Sequence, residues 1–168
     1  MIQFACSETG NVNLGNDDVT LSVSDKVTGS LMLDLAIEKE SLGLGKLILL
    51  ATLKNRSAKE ITFLPWGSPF EKSVTADFLT IIDLNIGVEL QYQGLMVKRL
   101  PPEHSDYLII AANRSIQNTI DISSSYTFCA QQRITLSFSN DLFSEKMLLI
   151  QVNANSIEIQ LPDTFPAC

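Results

Sequence analysis

Alternation of apolar and polar residues at period two runs through most of the chain. In "LMLDLAIE", Leu31, Leu33, Leu35 and Ile37 share one face, while Asp34, Ala36 and Glu38 fall mostly on the other. "RITLSFS" places Ile134, Leu136 and Phe138 opposite Thr135, Ser137 and Ser139, and "SIEIQLP" sets Ile157, Ile159 and Leu161 against Glu158 and Gln160. "SIQNTIDIS" repeats the theme with Ile116, Ile120 and Ile122, but Asn118 interrupts its apolar side. Such strands suit sheets with one face on a core and one in water. "KLILLATLKN" is apolar on both faces at its start and predicts a central strand. "FLTIIDLN" and "GVELQYQ" flank Asn85, Ile86 and Gly87 as a hairpin. "MLLIQVN" and, near the start, "VTLSVS" (residues 19–24) predict two further strands.

Helical periodicity is weak. Short helical turns are expected at "SPFEKSVTADF" and "SNDLFSEKM", the second with Ser139 or Asn140 as cap and Asp141 at its N-terminus. Short strands separated by turns predict an all-β fold, an antiparallel immunoglobulin-like β-sandwich with short helical turns in its loops. Residues 1–17 form a polar N-terminal segment and 18–168 a single sandwich domain. Repeats and low-complexity tracts are absent from the sequence.

Composition narrows the function classes. Hydrophobic residues at 45% and charged residues at 18% argue against disorder. A net charge of −7 offers no positive face to phosphates, so no nucleic-acid partner is expected and an anionic membrane is disfavoured. No apolar run approaches the ~20 residues that span a bilayer. "MIQFACSETG" lacks the form of a secretory signal. Either the chain is cytoplasmic, or it is a mature secreted or periplasmic form whose signal has been removed, the reading adopted.

Chemistry is sparse. His104 is the single histidine, so HExxH cannot be built; GxSxG and phosphate-binding glycine loops are also missing. Glu103, His104 and Asp106 could in principle hold a metal, but three such residues in a polar loop arise readily by chance. No catalytic residue, cofactor or metal is expected. Among Cys6, Cys129 and Cys168, a pairing of Cys129 with the terminal Cys168 stands beside the alternative of three unrelated thiols. Asn55-Arg56-Ser57 and Asn113-Arg114-Ser115 fit the glycosylation acceptor pattern, which matters only in a eukaryotic secreted protein.

Over residues 46–138 the order of pieces is more specific. "LKN" (residues 53–55) is followed by "FLPWGSPFE" (63–71), "FLTIIDLNIGVELQYQGLMVKR" (78–99), "LPPEHSDYLII" (100–110), "RSIQNTIDISSSYTF" (114–128) and "RITLSFS". This order resembles the N-terminal non-catalytic region of deuterolysin-type (aspzincin) zinc metallopeptidases. It departs at Gln131-Gln132, where a glycine is usual, and at Cys129, where a polar residue is. The resemblance implies a pro-region-like module without peptidase activity, and a protein partner, a secreted metallopeptidase of that type, which it inhibits or helps to fold. An adhesion module binding a glycan or protein is the alternative, with Trp66, Tyr92 and Tyr107 able to stack on sugars. The partner-contact candidates lie in two proline-stiffened loops: Trp66, Gly67, Ser68, Pro69 and Phe70 in one, and Lys98, Arg99, Pro101, Pro102, His104 and Tyr107 in or beside the other. Within the first, Trp66 is expected to be mostly buried while Gly67 to Phe70 turn outward. Tyr126 is either a tyrosine corner or an ordinary half-buried tyrosine.

Overall fold

A computed structural model describes residues 30–168; the strand expected at 19–24, the segment 1–17 and Cys6 lie outside them. The described chain is all-β and mostly antiparallel, arranged as three four-stranded sheets.

In the first sheet, β2 (Ile48–Asn55) lies between β1 (Leu31–Ile37) and β7 (Ser115–Asp121), with β11 (Val152–Ala154) parallel to β1 on its outer side. Leu47, Leu49, Ala51 and Leu53 are fully buried and the residues between them half-buried, as a central strand apolar at its start requires. The second sheet runs β10 (Leu149–Ile150), β9 (Leu142–Ser144), β3 (Ile61–Leu64), β6 (Leu108–Ile110). The third runs β12 (Ser156–Gln160), β8 (Arg133–Phe138), β4 (Leu79–Asp83), β5 (Val88–Glu89). One cluster of buried side chains joins all three: Leu33, Leu49 and Leu53 meet Phe63 and Ile110 from the second sheet, and Ile81, Ile134 and Leu136 from the third.

Two expectations need correction. "MLLIQVN" is not one strand. Ile150 pairs with Leu142 in the second sheet, and Val152 pairs with Leu31 in the first, so the chain changes sheets at Gln151. "SNDLFSEKM" is not a helical turn but β9 and the start of a hairpin. Leu142 is buried there, and Phe143 stands opposite Leu64. Asn140 caps nothing; its amide donates to the carbonyls of Gly67 and Asp77, each at 3.2 Å. "SPFEKSVTADF" forms turns without a helix. The only helical pieces among the described residues are α1 (Lys39–Leu42) and a 3-10 turn at His104–Asp106.

The hairpin around Asn85 to Gly87 is present, with Gly87 at φ 70°. Asp83 closes it by accepting from the Asn85 N–H at 2.8 Å. Its other oxygen accepts from buried Gln132 at 2.8 Å. Cys129 and Cys168 are disulfide-bonded, with Cα atoms 5.5 Å apart. The tail between them packs Phe165 on Phe128 and passes so close to Gly45 that a Cβ there would meet the Thr164 carbonyl at 2.7 Å.

The two acceptor-pattern asparagines occupy opposite environments. Asn113 is exposed at φ 56°. Asn55 is 2% exposed, and its amide donates to the carbonyls of Lys59, Ile110 and Ala111 at 2.8, 3.0 and 3.2 Å. Its oxygen accepts from the N–H and hydroxyl of Ser57 at 2.9 and 2.7 Å. Asn55 therefore satisfies the backbone where β2 ends, and no nitrogen–hydrogen is left for modification in the folded chain.

Candidate functional site

The loop after β3, residues 65–77, is built by hydrogen bonds rather than by regular structure. Gly67 takes φ 64°, a region that disfavours side chains, and this turns the chain sharply after Trp66. Ser68 is fully buried; its hydroxyl donates to the Pro65 carbonyl at 2.5 Å and accepts from the Phe70 N–H at 3.2 Å. Phe70 packs edge-on against Phe63, with ring centroids 5.9 Å apart. Asn118, the polar residue on the apolar side of β7, donates to the carbonyls of Pro69 and Glu71 at 2.8 and 3.0 Å. Its interruption of the pattern is thus a clamp on this loop.

The expected orientation holds for Trp66, which is mostly covered, but not for the residues after it: Gly67 is half-buried, and Ser68, Pro69 and Phe70 are buried rather than turned outward. The physical reason is that the prolines and glycine curl the chain so that Phe70 reaches the core beside Phe63, leaving Trp66 at the rim.

Glu71 is the hub. Its carboxylate is buried and accepts from the Gly67 N–H, from the Thr75 hydroxyl at 2.5 Å and from the Arg99 guanidinium at 2.6 Å. Arg99 also donates to the Thr75 hydroxyl at 2.6 Å and stacks over the Trp66 ring at 4.8 Å from its centroid. Two segments distant in sequence are so joined by one ionic, hydrogen-bonded and stacked contact. Tyr126 adds a further tie: its ring is buried, and its hydroxyl donates to Asp77 at 2.7 Å, not to backbone a few residues upstream as a tyrosine corner would. Burial, followed by the Asp77 hydrogen bond, pushes its phenol pKa well above the ordinary value. Tyr92, edge-on to Tyr126 at 5.5 Å, is shifted upward as well, first by burial and then by the charges of Asp77 and Glu71.

Trp66, Gly67 and Arg99 line a groove of about 440 Å³, completed by Val97, Asn140, Phe143 and Leu149. Beside it, Leu95, Met96 and Leu100 are 73%, 82% and 85% exposed, an unusual concentration of apolar side chains in water. The remaining candidates are dispersed. Lys98 and Pro101 are exposed and Pro102 is half-buried. Exposed His104 meets the Glu145 carboxylate through Nδ1 at 2.9 Å, and the Tyr107 hydroxyl lies 4.0 Å from the Met147 sulfur. Both contacts reach the β9–β10 hairpin, which also supplies Phe143 and Leu149 to the groove.

Among the described residues no group of three or more His, Cys, Asp or Glu is placed to hold a metal ion. In the loop at 103–106, Asp106 accepts from the Glu103 N–H at 2.8 Å, and the two carboxylates cap the 3-10 turn reciprocally. No helix among them is long and apolar enough to cross a membrane.

Sequence reasoning missed Glu71, Val97, Phe143 and Leu149. Glu71 was concealed as one charge in a turn-rich stretch. Val97 and its neighbours carried a visible signal, an apolar triplet bounded by Gly94 and by Pro101-Pro102, residues that interrupt sheet pairing. No known family model matches the chain, and no curated protein matches it either.

Proposed function

We propose that this chain is a non-catalytic protein-binding module and that its binding surface is the Trp66–Arg99 groove together with the apolar strip at residues 95–100. One observation carries the reading: a strip of Leu95, Met96 and Leu100, each at least 73% exposed, rests on a frame fixed by buried Glu71. A surface held rigid before binding loses less conformational entropy on association. Trp and Arg at its centre are the residue types most often found at interface hot spots.

The resemblance to deuterolysin-type pro-regions supplies the target class, a secreted zinc metallopeptidase that the module inhibits or helps to fold. The Cys129–Cys168 disulfide fits an oxidising compartment, secreted or periplasmic. An adhesion module that stacks sugars has weaker support. One face of Trp66 is under Arg99, and the Tyr92 hydroxyl is engaged by the Leu95 carbonyl at 2.7 Å.

Titration of the purified protein against a deuterolysin-type metallopeptidase tests the target. The expected outcome is a complex on size exclusion and loss of turnover, both weakened at least tenfold by Val97→Asp. Absence of any complex at micromolar concentration discards the target class. A complex indifferent to Val97→Asp moves the interface away from the groove.

A further inference from the structure

Residues 95–100 form an unusual edge. The stretch contains no turn, bend or helix, yet it belongs to none of the three sheets. Its inner side is anchored. The Val97 N–H donates to the Thr75 carbonyl at 3.3 Å, and the Arg99 side chain is held by Glu71 and Trp66. Upstream, the Gln93 N–H is fixed to the Ser125 carbonyl at 2.8 Å, and downstream Pro101-Pro102 stiffens the exit. In an extended chain the N–H and C=O of successive residues point to opposite edges. By that alternation, a stretch whose Val97 N–H is turned to Thr75 directs the N–H groups of Met96 and Lys98 to the opposite edge. Among the described residues neither amide has an acceptor, and Lys98 has no carboxylate partner. Met96 and Leu100 flank it, 82% and 85% exposed.

We infer that residues 95–100 are a preorganised strand that adds to the exposed β-edge of a protein partner, pairing through the amides of Met96 and Lys98. The partner edge carries apolar pockets for Met96 and Leu100 and a carboxylate for Lys98. Long apolar edges are normally blunted or covered because they recruit strands. Here the cation of Lys98 limits such pairing to an edge with a matching negative charge, and the body contacts at Val97 and Arg99 restrict the backbone in advance. Main-chain bonds then give affinity and alternate side chains give specificity. The inference rests on the protein-binding reading above but not on the identity of the target.

A random peptide library displayed on phage and selected against the immobilised protein tests it independently of any peptidase. Selected peptides are expected to alternate apolar residues around an acidic position. Their binding is expected to fall at least tenfold with Met96→Pro and with Lys98→Pro, which delete one outward amide each, and with Lys98→Glu. Melting temperatures identify any proline variant that fails to fold, in which case Lys98→Glu and Leu100→Asp carry the test. Selection of no peptide, or of peptides insensitive to these changes, overturns the inference. So does co-sedimentation with phosphatidylserine/phosphatidylcholine vesicles that Leu100→Asp abolishes and the prolines leave intact, which would make the strip a membrane contact. Peptide binding without peptidase binding discards only the target class. Peptidase binding that tolerates the prolines discards only the strand.

Discussion

Residues 65–77 and residues 95–100 face each other across one groove and invert the usual relation between composition and burial. The first is rich in proline, serine and charge, yet Ser68, Phe70 and Glu71 are each at most 8% exposed. The second reads Leu-Met-Val-Lys-Arg-Leu, yet Leu95, Met96 and Leu100 stand in water. What separates them is the supply of hydrogen-bond partners. Asn118, Asn140 and the Glu71 carboxylate satisfy the backbone of the first segment from several directions, so its burial leaves few polar groups unpaired. The second has one N–H bond to the body, from Val97, and one carbonyl, that of Leu95, bonded by the Tyr92 hydroxyl; sinking it deeper would desolvate the amides of Met96 and Lys98, which have no acceptor among the described residues. Apolar side chains favour burial, but they do so only where the main chain can follow.

The contrast is broken most directly at Glu71. Glu71→Ala takes the carboxylate from the Arg99 guanidinium and the acceptor from the Gly67 N–H and the Thr75 hydroxyl, and is expected to lower stability by about 3 kcal/mol, read from urea denaturation. A loss under about 1 kcal/mol would mean that the loop is held by packing instead. Asn118→Ala comes next. It exposes the Pro69 and Glu71 carbonyls to a dry environment and is expected to cost about 2 kcal/mol, with the peak in loop mobility by hydrogen exchange falling at residues 65–77.

Tyr126→Phe removes the bond to Asp77 and is expected to cost about 1 kcal/mol at neutral pH. It also carries a pH signature. Burial and the Asp77 bond raise the phenol pKa in the folded chain above its unfolded value. The unfolded chain therefore gives up this proton first. The associated stability is complete below about pH 10 and declines as pH rises further. Denaturation at a series of alkaline pH values is expected to show a shallower decline for Tyr126→Phe than for the parent chain. An identical slope would remove Tyr126 as its source.

The smallest effects belong to the strip. Met96→Ser and Leu100→Ser each change stability by about 0.5 kcal/mol or less, because little of either side chain leaves water on folding. A loss of about 2 kcal/mol at either position would show that the strip packs in solution and would dissolve the contrast between the two segments.

Legibility from sequence followed the same division. Strands with clean alternation, Leu31–Ile37, Arg133–Phe138 and Ser156–Gln160, could be read directly, since a pleated backbone sends successive side chains to opposite faces. Asn118 stood out as a breach in an apolar face, but nothing local told which carbonyls it would reach. Residues 147–153 looked like one strand because the apolar pattern is continuous; the change of sheet at Gln151 depends on Leu31 and Leu142, more than a hundred residues apart. At the groove, Trp66 and Arg99 were visible as candidates. Their stacking was not, since the guanidinium is held over the ring by its bond to Glu71, 28 residues away in sequence.

By itself, then, the sequence determined the cleanly alternating strands, Leu31–Ile37, Arg133–Phe138 and Ser156–Gln160, and which side of each faces the core, because both follow from local backbone geometry and the period of the side chains. Only the tertiary structure decided which irregular segment is buried and which is displayed. That outcome turns on whether distant residues, Glu71, Asn118 and Asn140 above all, arrive with the donors and acceptors that allow a backbone without sheet partners to leave water.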